Sequence, residues 1–280
     1  MKRLASSFLV IALSGSLGSA QPWPHLSDSA KFSLITLSPG QELYQAFGHS
    51  AIRLRDPLRD VDILYNYGIF DFSTEYFYLK FSTGRLRYQL GMSHFERVQR
   101  YMPMEDQTVI EQIFDLDKEA RQALFEFLET NYLEENRYYY YRFFEDNCAT
   151  RIRDVLDTVL ADALVWDFDI NHDPASYREL YHEDLTHRQW EAAGLDLLLG
   201  SRIDKKKDPW HFMYKPNYLH DLVGRAPSKN PRRHPTAGGQ GASALPPART
   251  SGSRPGIHSY ALGLARAGAA GAVAGAARPS

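Results

Sequence analysis

A single cysteine, Cys148, stands in the stretch Phe143-Phe144-Glu145-Asp146-Asn147-Cys148-Ala149-Thr150-Arg151-Ile152-Arg153-Asp154, and it is the only thiol in 280 residues. A thiol attacks a carbonyl as the thiolate, and positive potential from a helix N-terminus or a cationic neighbour is what makes the thiolate available near neutral pH. Ile152, Val155, Leu156, Val159 and Leu160 recur at the spacing of one apolar helix face, so a helix of about four turns is predicted to begin at the cysteine. Asp146 or Asn147 can cap it by accepting from backbone N–H groups two or three residues on, which leaves Cys148 where N–H dipoles point outward. The competing reading is a small buried hydrophobe, because free cysteine is among the most buried residue types.

Such a thiol needs a base. Of ten histidines, His49 lies in Phe47-Gly48-His49-Ser50, directly ahead of Ala51-Ile52-Arg53-Leu54-Arg55-Asp56, whose alternation of apolar and charged residues describes a half-buried strand. His49 is therefore expected at a strand entrance beside a glycine, against the plainer reading of a surface or packing histidine. After a turn at Asp56-Pro57, Val61 to Ile69 reads as the next strand and carries Asn66. An asparagine there either faces solvent or holds something by its amide. His182 and His187 are five residues apart and do not share a helix face, so neither a metal nor a cofactor is expected.

The remaining elements must hold these residues together. Phe32 to Leu37 is predicted as the first strand, stopped by Ser38-Pro39-Gly40, with further strands at Arg85 to Leu90 and Thr108 to Leu116. Ser73 to Phe81 reads as a short helix, and Asp117 opens another in which Ala120, Leu124, Phe127 and Leu128 share a face. Tyr138 to Tyr141 reads as a strand leading into the cysteine helix, with no stacking role assigned. The class is α+β: four or five antiparallel strands with helices packed against one face. Later helices are predicted around Tyr177 to His182 and Arg188 to Leu199. Leu195 to Leu199 is expected to be a buried helix end capped by Gly200, and Asp196 and Asp204 are expected to be solvated caps.

Residues 1–20 read as a cleavable signal peptide: Lys2-Arg3, a largely apolar run to Leu17, then Gly18-Ser19-Ala20. The run is too short and too broken by serine and glycine to span a bilayer. In an exported chain, one cysteine cannot form an internal disulfide, so it is either reactive or a partner for another chain. The formal net charge of −2 hides an asymmetry: residues 21–223 hold 22 Lys or Arg against 34 Asp or Glu. That surplus excludes nucleic acid as the partner of the folded body. Residues 21–222 have the length of one domain. Residues 223–280 are rich in Ala, Gly, Pro and Arg and hold too little apolar surface to order themselves, so a disordered tail is expected. A frameshifted translation of a GC-rich gene is the expected origin of this tail, and Ala261 to Ala277 is too interrupted by Arg266 and glycines to be expected as a membrane anchor.

The segments Ser38-Pro39-Gly40-Gln41-Glu42-Leu43-Tyr44, Phe47 to Arg53, Tyr65-Asn66-Tyr67-Gly68, Glu134-Glu135-Asn136-Arg137, Phe143 to Asp154, Gly194 to Ser201 and Ile203-Asp204 resemble the bacterial Lnb N-terminal periplasmic domain over roughly residues 31–222. More distantly, a histidine at a strand start, a polar residue on the following strand and a later Asn-Cys at a helix start are similar to the circularly permuted papain-like proteins of the NlpC/P60 type, including the lecithin:retinol acyltransferase-like enzymes. These resemblances imply a periplasmic location and a permuted papain-like core. They also imply that Cys148 is the nucleophile, His49 its base and Asn66 the group orienting the imidazole, with Asp146 and Asn147 supporting the helix start. The spacing from His49 to Asn66 is longer than in the lipid acyltransferase-like relatives, which commonly use a second histidine, and Tyr65 and Asp71 are alternatives. The expected function is that of an exported thiol hydrolase or acyltransferase acting on an amide or ester of a cell-envelope peptide, lipoprotein or lipid. The alternative is a non-catalytic periplasmic binding or assembly module with Cys148 buried. A carboxylate-based glycosidase comes third, since no acid pair is singled out.

Overall fold

The computed structural model describes residues 23–71, 73–101, 107–161, 164–168, 173–226 and 243–244. The expected signal peptide and most of the expected tail lie outside these residues. Strands β1 (Lys31–Leu37), β2 (His49–Asp56), β3 (Val61–Ile69), β4 (Arg87–His94), β5 (Val109–Ile113) and β6 (Tyr138–Tyr140) form one antiparallel sheet in the order β6-β4-β3-β2-β1-β5. The helices α1 (Phe77–Ser82), α2 (Phe95–Tyr101), α3 (Lys118–Tyr132) and α4 (Cys148–Val159) are threaded among these strands. A smaller second half follows, with the paired dipeptides β7 (Ala175–Ser176) and β8 (Lys206–Lys207) and the helices α5 (Tyr177–Asp184), α6 (Gln189–Leu199), α7 (Pro209–Phe212) and α8 (Pro216–Arg225). The fold is thus mixed α+β on an antiparallel sheet.

Helices cover both faces of the sheet, not one. Alternation along β1 to β3 sends Phe32, Leu34, Ile52, Leu54, Tyr65 and Tyr67 to one face, where Leu124 and Leu128 of α3, Ile152 and Leu156 of α4, and Leu219 and Leu222 of α8 bury them. The opposite positions, Ile35, Leu37, Ala51 and Leu64, pack with Val109 under Phe95 of α2. Arg53 on that second face is 7 % exposed rather than solvated. Its guanidinium lies 3.6 Å from the Phe95 ring centroid and makes ion pairs with Asp62 and Glu111, the partners a buried cation requires.

The α1 helix begins later than its aromatic run suggests, because Tyr76 sits in the left-handed region at φ 56° and no helix can continue through it. A separate apolar cluster joins Ala46 to Tyr177, Leu180, Tyr181, Ala192, Ile203, Phe212 and Tyr214, with Phe47, Phe143 and Phe144 packed against it. This places the second half of the chain directly behind the segments that lead into His49 and Cys148. Helix α8 runs on to Arg225, past the expected domain boundary at 222. Ser243–Ala244 (β9) pairs with the outer edge of β5, where the sequence suggested only disorder.

Candidate active site

Cys148 is the first residue of α4, and Asn147 is its N-cap. Asn147 Oδ1 accepts from the N–H groups of Ala149 (3.0 Å) and Thr150 (2.9 Å), while Thr150 Oγ1 accepts from the Asn147 N–H at 2.7 Å. The amide nitrogen of Asn147 donates to the carbonyls of Phe143 (2.8 Å) and Tyr214 (2.9 Å). Every polar atom of this buried side chain is therefore used in fixing the helix start, and one bond ties it to the second half of the chain. Asp146 does not cap. Its carboxylate takes a forked pair of hydrogen bonds from Arg151, whose guanidinium lies over the Tyr139 ring.

His49 opens β2 opposite Leu37. Gly48 before it has φ +71°, and a Cβ there would lie 2.5 Å from the Leu37 carbonyl oxygen, so only glycine lets the chain turn into the strand this tightly. Asn66 lies near the end of β3, where the pairing with β4 shifts register between Asn66 and Ile69. His49 Nε2 is 2.6 Å from Asn66 Oδ1. An amide oxygen only accepts, so Nε2 carries the proton and the other ring nitrogen, Nδ1, is left for the thiol. A hydrogen bond joins the imidazole and the Cys148 side chain. The alternatives are engaged elsewhere: the Tyr65 hydroxyl donates to Glu129, and Asp71 accepts from the N–H and hydroxyl of Ser73 in a turn.

Burial works against charge on both members of this pair, and in both cases the partner outweighs it. The thiol is held below its usual value despite burial because of the adjacent imidazolium, its hydrogen bond to His49, and the N–H groups of Ser50 and Ala149 that point at the sulfur. The imidazole is raised above 6.5 despite burial by the thiolate, the hydrogen bond to it and the bond to Asn66. The two opposite shifts draw the thiol and the imidazole toward one another, each favouring the charged form of its partner. Cys148 nevertheless keeps a partly exposed edge.

Three features of the site were not singled out in the sequence. Gly68 has φ +98°, and a Cβ built on it would stand 3.7 Å from Cys148 Cβ and 3.8 Å from His49 Cε1, so its bare backbone leaves space against both groups. The Ser50 N–H reaches the sulfur from the strand that carries His49. Tyr88 and Tyr141 stack with centroids 4.2 Å apart beside Tyr139. All three phenols are pushed up, first by burial and then by the negative charge on Cys148, or for Tyr88 by those two causes alone. The Tyr65-Asn66-Tyr67-Gly68 segment and the alternating strand through Tyr88 carried the signal for two of these, but nothing in them indicates which residue the thiol meets.

An α+β domain whose lone cysteine starts a helix against a strand-borne histidine and asparagine is the class that fold and site define. Residues 23–183 match the family described as the Lnb N-terminal periplasmic domain, and the chain belongs to that family. No curated protein and no solved structure matches it. Among the described residues, no helix is long and apolar enough to cross a membrane.

Proposed function

We propose that this protein is an exported thiol hydrolase or acyltransferase that cleaves an amide or ester bond of a cell-envelope substrate, on a permuted papain-like core of the NlpC/P60 type. The observation that carries this reading is the hydrogen bond between Cys148 and His49, with Asn66 behind the imidazole. A non-catalytic module with a buried cysteine gives no reason for a base within reach of the sulfur, for a third group to orient that base, or for two backbone N–H groups to converge on the thiol. Membership of a periplasmic family and the signal-peptide pattern of residues 1–20 support export to the periplasm.

The chemistry follows from the geometry. The thiolate of Cys148 attacks the carbonyl carbon, forming a C–S bond and moving the carbonyl electrons onto oxygen. The N–H of Cys148 itself, first in α4 and not taken by the Asn147 cap, and that of Ser50 are the donors proposed to stabilise that oxyanion. Nδ1 of the His49 imidazolium gives its proton to the leaving amine or alkoxide as the C–N or C–O bond breaks, leaving a thioester on Cys148. An acceptor, either water or an amine or alcohol, then loses its proton to His49 as it attacks. The C–S bond breaks and the thiolate returns. Hydrolysis and transfer differ only in that acceptor.

The test is the rate of alkylation of Cys148 by iodoacetamide against pH, in wild type and in His49→Ala. A wild-type thiol that reacts well below pH 8, with that reactivity lost in the variant, is expected. A thiol titrating near 8.5 like free cysteine in both proteins would overturn the proposal.

A further inference from the structure

We propose that the outer edge of β6 takes up an extended segment of another polypeptide as an added antiparallel strand, with an acidic residue of that segment seated at the Tyr140 end. This goes beyond the catalytic reading and does not depend on it. The outer side of β5 is covered by Ser243–Ala244, whereas among the described residues nothing pairs with the outer side of β6. The register shows which groups are left open. Leu90 N–H donates to the Arg137 carbonyl and Tyr141 N–H to the Leu86 carbonyl, on either side of the Tyr88–Tyr139 pair. In an antiparallel ladder such bonded residues alternate with residues whose N–H and C=O both point away, so Tyr138 and Tyr140 turn theirs outward. No described residue bonds to them. Neither a proline nor a shift of register blunts this edge. Two donors and two acceptors at strand spacing are matched by the backbone of a second extended chain.

The charges along the edge set the chemistry of the incoming strand. Where β6 ends, a hollow of about 360 Å³ is lined by Gly84, Arg85, Tyr140 and Arg142, two cations and no acid. Arg85 is exposed and has no ion-pair partner among the described residues. Arg142 has only Glu145, at 3.7 Å and with both side chains largely in water, a pair that holds its cation weakly. Counting Glu145, this end is still left with a positive charge. Midway, the Arg87 guanidinium lies over the Tyr138 ring. At the Tyr138 end, Glu134 is taken by Arg137 and by the Tyr138 hydroxyl, and Glu135 is exposed, so the balance there is negative. An acidic residue on the added strand therefore belongs at the Tyr140 end. All pairings in this sheet are antiparallel, and continuing them puts that residue toward the N-terminus of the incoming segment.

The edge also lies where a bound chain has consequences for the site. Strand β2 opens on His49 and β4 on Arg87, while β3 closes at Ile69 and β6 at Tyr140, so these four points share one end of the antiparallel sheet. A turn closed by the bridge between Arg142 and Asp146 then carries the chain from β6 into Cys148. Tyr139 and Tyr141 point the other way from Tyr138 and Tyr140, into the core cluster that Cys148 packs against, while Tyr140 is 60 % exposed and presents its ring to an arriving side chain. A segment held on β6 stands at the thiol's end of the sheet.

The test uses the full chain with Cys148→Ala, so that no thiol chemistry enters the readout and failure here leaves the catalytic reading untouched. The probes are the capped peptide Asp-Asp-Val-Thr-Val-Thr with fluorescein at its C-terminus, the same residues in reverse order, and the first peptide N-methylated at its valines and threonines. Anisotropy is expected to rise with the first peptide and to rise much less with the other two. In the complex, the Tyr138 and Tyr140 amide protons should exchange about tenfold more slowly, while that of Tyr139, already bonded to Tyr88, is unchanged. Arg85→Glu with Arg142→Glu is expected to lower the apparent affinity about tenfold while the circular dichroism melt stays unchanged, since both side chains are at the surface. No binding at millimolar peptide overturns the proposal. So does equal binding of the reversed or the methylated peptide, binding that the charge reversals do not weaken, or binding that leaves the two amides unprotected. Amides already protected without peptide also overturn it: if the sedimenting mass is doubled the edge pairs with a second copy, and if the mass is unchanged another part of the chain covers it.

Discussion

His49 Nε2 lies 2.6 Å from Asn66 Oδ1, and this contact decides which imidazole nitrogen meets Cys148. Because an amide oxygen cannot donate, it fixes the proton on Nε2 and directs Nδ1 to the sulfur. Asn66→Ala removes that constraint while leaving thiol and imidazole in place. Loss of this positioning is expected to lower the alkylation rate of Cys148 at pH 7 about 10- to 100-fold, the scale of a small misplacement of reacting groups. Asn66→Asp keeps an acceptor and adds negative charge beside the ring, so the imidazolium should persist to higher pH than in wild type. The His49 proton resonances followed by NMR against pH distinguish the two. A merely structural asparagine would change stability without moving the His49 titration.

The opposite shifts of the pair predict a pH dependence for the proposed turnover. Cys148 loses its proton below the ordinary thiol value, and His49 keeps its proton above 6.5. Activity on an amide or ester substrate should rise as pH climbs through the lowered Cys148 value, because the thiolate appears. It should fall as pH passes the raised His49 value, because the proton needed by the leaving group is gone. In His49→Gln the rising limb should move up toward the ordinary thiol range of about 8.5 and the falling limb should vanish. The check is initial rate against pH in both proteins. A rising limb that does not move would mean that the imidazole is not what lowers the thiol.

The two left-handed glycines of the site separate function from stability. At Gly48 a methyl group would collide with the Leu37 carbonyl, a backbone atom that cannot swing aside without opening the β1–β2 pairing. At Gly68 it would sit in ordinary contact with Cys148 and His49. Both substitutions force an L-residue to positive φ, at about 1–3 kcal/mol. Gly48→Ala should fall at or beyond the top of that range. Gly68→Ala should fall within it, with a fully folded protein whose thiol reacts more slowly with a bulky acyl substrate than with iodoacetamide. Urea unfolding midpoints and the ratio of the two rates measure these effects.

Much of this was legible from the residues, and what was not has a definite physical cause. The strands at 31–37, 49–56 and 61–69 follow from alternation and turn residues, and the helix at Cys148 follows from its apolar spacing and the Asn before it. Those signals are local. The burial of Arg53 was not legible, because it depends on Asp62, Glu111 and Phe95 arriving from other elements. The second helix layer, with Phe95 of α2 covering Ile35 and Leu64, was hidden for the same reason. The run from Leu195 to Leu199 misled because apolar composition usually means burial, and only packing reveals that α6 has one apolar face too many. In the site, residue types identified Cys148 and His49 as candidates. The hydrogen bonds of Tyr65 to Glu129 and of Asp71 to Ser73 were needed to leave Asn66 alone with the imidazole.

Asn147 supplies the sharpest test of how the helix start is held. Its side chain accepts from two N–H groups and donates to two carbonyls, one of them Tyr214 in the far half of the chain. Asn147→Ala removes the cap, at about 1–2 kcal/mol, and strands buried carbonyls at Phe143 and Tyr214, so a total loss of about 2–4 kcal/mol is expected. Asn147→Asp keeps the acceptor for Ala149 and Thr150 but loses both donors and sets a negative charge beside the sulfur. A thiolate is disfavoured by a neighbouring carboxylate, so the Cys148 thiol should lose its proton at higher pH in the Asp variant than in wild type, even though the cap survives. Urea denaturation reads the first effect and the pH profile of alkylation the second. If the Asp variant titrated like wild type, the cap carboxylate would have to be shielded from the sulfur, and the low pKa of Cys148 would rest on His49 more than on the helix start.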